Sequence, residues 1–102
     1  MEYSWDPQAQ SDLQGIYEFI CYRKHEPESA LYVANSIVDR AQSLVDYPNK
    51  YPVYVESGFS DTVVRSTVIW SYRIVYEVRG NAVRITRILH TSRNPFAKPD
   101  FD

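Results

Sequence analysis

The side chains able to do chemistry gather late in this chain. From Thr62 to Pro99 there are seven bases (Arg65, Arg73, Arg79, Arg84, Arg87, Arg93 and Lys98) against one acid, Glu77, a balance of +6. From Met1 to Asp61 there are ten acids and four bases, a balance of −6. Six of the seven late bases are arginine, whose planar fork suits bidentate contacts to phosphate or carboxylate. His90 follows in the same stretch. Several arginines and one histidine on a sheet face could bind a phosphodiester. They could also cleave one, with histidine as acid or base and arginine stabilising the pentacovalent charge. The plainer reading is that these arginines are solvated or paired with Glu18, Glu56 or Glu77. An anionic partner for one face is the expectation.

Other chemistries lack their residues. One cysteine, Cys21, and two histidines far apart, His25 and His90, offer no metal-ligand spacing. Three glycines make a phosphate cradle improbable, and no G-x-G-x-x-G, P-loop or G-x-S-x-G motif is present. The expectation is no cofactor and no metal. Cys21, beside Ile20 on an amphipathic stretch, reads as a small hydrophobe. Most of the nine tyrosines read as packing groups rather than base-stacking platforms.

The elements that must position these groups follow from periodicity. Tyr3–Trp5 could form a first strand. Asp6-Pro7 is a helix start, with Asp6 accepting at the N-cap and Pro7 at N1. Ala9, Leu13, Ile16, Tyr17 and Ile20 make an apolar helical stripe that fades near Tyr22 to His25. Glu26-Pro27 restarts a helix whose stripe is Ala30, Val33, Ala34, Ile37, Ala41, Leu44 and Val45, ended by Pro48. The short connection predicts an antiparallel helical hairpin. A loop covers Asn49 to Asp61, with a short irregular strand over Val53 to Glu56.

The period then becomes that of strands. Thr62 to Trp70 is rich in β-branched residues. In Tyr72–Val78, Tyr72, Ile74, Tyr76 and Val78 face one side. Gly80-Asn81 is a two-residue hairpin turn, and Ala82 to His90 the return strand. Ile88-Leu89 is apolar on both faces, as in a central strand. Absent a bulge, the pleat puts Arg84 and His90 on one face of that strand and Arg87 on the other. The fold class is α+β, an N-terminal helical hairpin on one face of a small, mostly antiparallel sheet. At 102 residues the chain reads as one domain, 1–102, with residues 94–102 as a loose tail. No apolar run is long enough to span a membrane, no signal peptide is marked, and a lone cysteine suits the cytoplasm.

Four stretches resemble the RelE/ParE superfamily of toxins from type II toxin–antitoxin systems. They are Trp5-Asp6-Pro7-Gln8-Ala9 with Asp12-Leu13 and Ile16-Tyr17; Leu44-Val45-Asp46-Tyr47-Pro48; Val64-Arg65 with Tyr72 to Val78; and Val83-Arg84-Ile85-Thr86-Arg87-Ile88-Leu89-His90-Thr91-Ser92-Arg93. The resemblance implies a cognate antitoxin partner and a toxin–antitoxin hetero-oligomer. It also implies one of two targets. RelE-like members cut mRNA on the ribosome; ParE-like members poison DNA gyrase. Carried over by position, Arg73 and Arg93 match two arginines of the nuclease branch, and His90 could supply the acid or base. The lysines of that branch are absent before Arg65, where Asp61 and Val63 stand, and no tyrosine follows Arg93, only Phe96 and Phe101. The ending through His90 and Arg93 looks more like ParE members. The resemblance therefore implies a gyrase-directed toxin, with Arg65, Arg73, Arg84, Arg87 and Arg93 as target or antitoxin contacts. If it is a nuclease instead, Arg73, His90 and Arg93 are catalytic. A third possibility is a protein-interaction domain without toxicity.

Overall fold

The computed structural model describes residues 2–55 and 62–92. The order is β1 (Glu2–Trp5), α1 (Pro7–Glu18), a π-helical turn (Phe19–Arg23), α2 (Pro27–Ser43), β2 (Val53–Val55), β3 (Thr62–Ile69), β4 (Tyr72–Arg79) and β5 (Ala82–His90). The five strands form one sheet in the order β1-β5-β4-β3-β2, with only β1 parallel to its neighbour. The two helices pack on one face, the α+β architecture expected from periodicity.

The core lies between the layers. Ala9 of α1 and Ile37 and Ala41 of α2, with Leu44 just beyond it, are buried against Ile74, Tyr76 and Val78 of β4 and Val83, Ile85 and Ile88 of β5. Tyr76 is the largest of these. Its ring fills the layer and its hydroxyl donates to the Pro48 carbonyl at 3.3 Å. Burial pushes the Tyr76 phenol up to about 12, since a phenolate there would lack water.

Three local expectations are corrected. Asp6 makes no side-chain cap on α1, because its carboxylate is drawn to Arg84 instead. The first helix does not simply fade. It widens into the π-turn, where Lys24 N–H reaches back five residues to the Phe19 carbonyl at 3.2 Å. The second helix stops at Ser43, ahead of Pro48, in tighter i→i+3 bonds from Leu44, Val45 and Asp46. At the β4–β5 turn Gly80 takes φ 55°, the positive value required of the first central residue of a type II′ hairpin. Residues 94–102, read as a loose tail, lie outside the described residues.

Candidate functional site

Strand β5 carries most of the residues in question, and its geometry changes halfway along. Ala82–Ile85 lies between β1 and β4. On the β4 side the register steps from Tyr76↔Ile85 to Val75↔Arg87, leaving Thr86 as the extra residue of a bulge. Its hydroxyl donates to the Val75 carbonyl at 3.1 Å. The core-facing residues accordingly run Val83, Ile85, Ile88, with a step of three where a flat strand has two. The bulge overturns the expected pleat. Arg84 lies cross-strand from Glu77 on the face away from the helices, while His90 lies opposite Tyr72, which packs toward the core.

Among the described residues, Arg65, Arg73, Arg84 and Arg87 do not form one basic cluster. Arg65 shares its face with its cross-strand partner Tyr76, on the helix side, where its guanidinium donates to the Tyr51 carbonyl at 2.6 Å. Its Nε is buried without a hydrogen-bond partner. Arg73 points to the other side. It donates to the Ser66 hydroxyl at 2.8 Å and lies over the Tyr54 ring at 4.9 Å. Arg84 bridges two carboxylates, Glu77 at 2.7 Å and Asp6 at 3.1 Å. Arg87 pairs with Asp12 of α1 through its Nε at 2.8 Å. Arg93 lies outside the described residues. The charge split along the sequence is thus partly internal. Two acids of the N-terminal half, Asp6 and Asp12, neutralise two arginines of the C-terminal half.

Asp12 organises this region in a way the sequence did not announce. The pairing with β1 ends at Ile85; beyond it no strand among the described residues lies on that side of β5, and Asp12 takes its place by accepting the Ile88 N–H at 3.0 Å. Burial alone would raise the Asp12 carboxyl. The bonds from Arg87, Ile88 and Gln8 outweigh that and hold it below its ordinary value of 3.8. A carboxylate five residues past Asp6-Pro7 gives no local sign that it will meet a strand 75 residues later.

Where β1 gives out, a groove of about 610 Å³ opens between α1 and the end of β5. Ile16, Phe19 and Tyr72 supply its apolar surface, and Asp12, Arg87 and His90 its polar one. His90 is exposed, stacks edge-on with Tyr72 (centroids 5.6 Å apart), and accepts the Ser92 N–H at its Nδ1 at 3.1 Å. That bond leaves the proton of the neutral ring on Nε2. Of the two proposed catalytic residues that are described, the groove holds His90; Arg73 sits across from Leu89 on the sheet's other face. A concave groove, apolar with a few placed charges, is the usual form of a ligand site. Among the described residues no group of three His, Cys, Asp or Glu side chains stands where it could hold a metal ion, and no helix is long and apolar enough to cross a membrane.

The comparisons with known proteins agree with this architecture. The family model of the ParE toxin of the type II toxin–antitoxin system parDE matches residues 3–95. No curated protein matches the chain. Among solved structures, the chain is similar to the chromosomal ParDE toxin–antitoxin system from P. aeruginosa, at 26% identity and a TM-score of 0.68, covering 88% of this chain and 95% of that one. It shares its fold with an archaeal RelE–RelB complex from Pyrococcus horikoshii (16% identity, TM-score 0.61, 91% and 97% covered). The same holds for the YoeB dimer from Staphylococcus aureus (17% identity, TM-score 0.53, 88% and 95% covered). The chain belongs to the ParE toxin family of type II toxin–antitoxin systems.

Proposed function

We propose that this toxin acts on DNA gyrase and is neutralised by a cognate antitoxin, and that it is not a ribonuclease. The observation carrying this reading is the dispersal of the arginines. A phosphodiester-cleaving site needs an acid or base and charge-stabilising donors converging on one phosphate, within about 3 Å of the reacting atoms. Here Arg65 is turned to the helix side, Arg73 to the opposite side, and Arg84 and Arg87 are each held by carboxylates. Among the described residues His90 faces the groove with one arginine beside it, Arg87, and Asp12 already occupies that arginine.

The antitoxin contact is assigned to the β5 groove and the Arg73 face. The groove offers Ile16, Phe19 and Tyr72 to apolar anchors. Arg73, held only by a neutral hydroxyl and an aromatic ring among its described contacts, keeps its charge for an acidic residue. Arg84 and Arg87, first read as contacts, serve as internal ties. The ribonuclease reading keeps one point in its favour, that His90 and Arg87 line the same groove.

Pulse labelling separates the two in a bacterial host without antitoxin. On the gyrase reading, DNA synthesis fails before protein synthesis after induction, and the cells filament. Protein synthesis stopping within minutes, with DNA synthesis lagging, would overturn it in favour of mRNA cleavage. Harmless expression would identify a non-toxic interaction domain.

A further inference from the structure

We propose that Tyr32 and Trp70, with Glu28 at their rim, form a receptor for a basic side chain, arginine or lysine, presented by a partner protein. The site lies at the β3–β4 end of the molecule, apart from the β5 groove, and does not depend on the gyrase reading. Trp70 is the first central residue of the two-residue turn closed by the Ile69↔Tyr72 pair. Its φ is 57°, in the left-handed region that glycine or asparagine fills without strain and a bulky aromatic does not. Burial does not offset this strain, for Trp70 is 57% exposed. The turn therefore holds an indole out toward solvent at the expense of its own backbone.

What the indole meets there defines the guest. Tyr32 of α2, itself 62% exposed, stands edge-on to it, with ring centroids 5.8 Å apart and planes at 63°. The two rings, together with Glu28, Ser29 and Val33, surround an open hollow of about 290 Å³. Aromatic faces attract a cation placed within about 6 Å of their centroids, and a carboxylate at the rim supplies its counter-charge. An anion or a neutral amide gains from neither. Among the described residues Glu28 is the only charged side chain lining the hollow. Two bases of the helical layer are engaged elsewhere: Arg23 lies over the Phe19 ring, and Arg40 donates to the Thr67 hydroxyl and the Val68 carbonyl. Charge complementarity thus favours a basic guest. Arginine suits it best, because a planar guanidinium can stack on one ring while it donates to the carboxylate.

The test follows the indole N–H signals of the full chain by NMR, using N-acetyl-L-arginine amide as probe and N-acetyl-L-glutamine amide as neutral control. Trp5, whose indole donates to the Tyr3 hydroxyl at 2.7 Å, is the internal reference. Saturable movement of the Trp70 signal by the arginine probe alone is expected, with Trp5 still. Glu28→Gln should weaken the response about three- to fivefold. Trp70→Gly, read at the Tyr32 ring, should abolish it without lowering Tm, because glycine suits the turn. No response, an equal response to the glutamine probe, or binding unchanged in Glu28→Gln would overturn the proposal, as would a clear loss of Tm in Trp70→Gly.

Discussion

Residues Ala82–Ile85 of β5 have a strand on either side; residues Arg87–His90 have β4 on one side and, among the described residues, the Asp12 carboxylate on the other. In the first half, backbone ladders close the sheet and Arg84 sits outside it between Glu77 and Asp6. In the second half, one side chain does the work of a strand, and the room left over becomes the groove. The same strand therefore provides a rigid support and, past the Thr86 bulge, a surface free to recognise something. Edges left open in sheets invite pairing with other chains, and a carboxylate fixed on the edge amide is one way to restrain it.

The comparison breaks most visibly at Asp12. Asp12→Ala leaves the Ile88 N–H and the Arg87 guanidinium without their partner, and we expect a loss of about 2–4 kcal/mol in denaturant unfolding. Hydrogen exchange should speed up at Ile88 while Val83 and Ile85 stay protected by both neighbouring strands. Equal loosening of both halves would refute the division. The Asp12 carboxyl is held below its ordinary value in the folded state, so its contribution is present above the unfolded value and is lost as pH falls below about 3.8. Asp12→Asn should flatten that acid dependence.

Next in size is Tyr76, which pairs with Ile85 at the last position before the bulge. Its folded value of about 12 exceeds the unfolded 10.0. Its stabilising contribution is therefore complete below pH 10 and falls away as pH rises from 10 toward 12, by roughly 1–3 kcal/mol. Tyr76→Phe should remove this alkaline sensitivity in pH-dependent urea melts. A wild-type curve flat to pH 12 would show that the phenol is less enclosed than its burial indicates.

The smallest effect is expected at Arg84, whose side chain is 49% exposed. Solvent screens its two ion pairs, so Arg84→Ala should cost about 0.5–1 kcal/mol, and less in high salt. A loss as large as that of Asp12→Ala would make the two halves equivalent.

How legible all this was depends on how local the signal is. The β-branched run Thr62 to Ile69, the alternation of Tyr72 to Val78 and the Gly80-Asn81 turn each state their own structure, and the helices and the meander follow them. The bulge at Thr86 was hidden because the apolar pair Ile88-Leu89 fits either register of the strand. The π-turn at Phe19–Arg23 was hidden because one extra residue per turn barely disturbs an amphipathic stripe. The site was least legible of all. The excess of bases after Thr62 was plain, but that Asp6 and Asp12 would cross more than 70 residues to meet Arg84 and Arg87 is a fact of tertiary structure. His90 and Arg73, adjacent in the expected site, were separated by the faces of the sheet.

The central claim is that this toxin works by contact and not by cleavage. It is tested most directly by adding purified wild-type and His90→Ala protein to a DNA gyrase supercoiling assay and, in parallel, to translating ribosomes. The account predicts that both proteins inhibit supercoiling to a similar degree and leave mRNA intact. Cleavage of mRNA by the wild type, lost in His90→Ala, with gyrase unaffected by either, would contradict it.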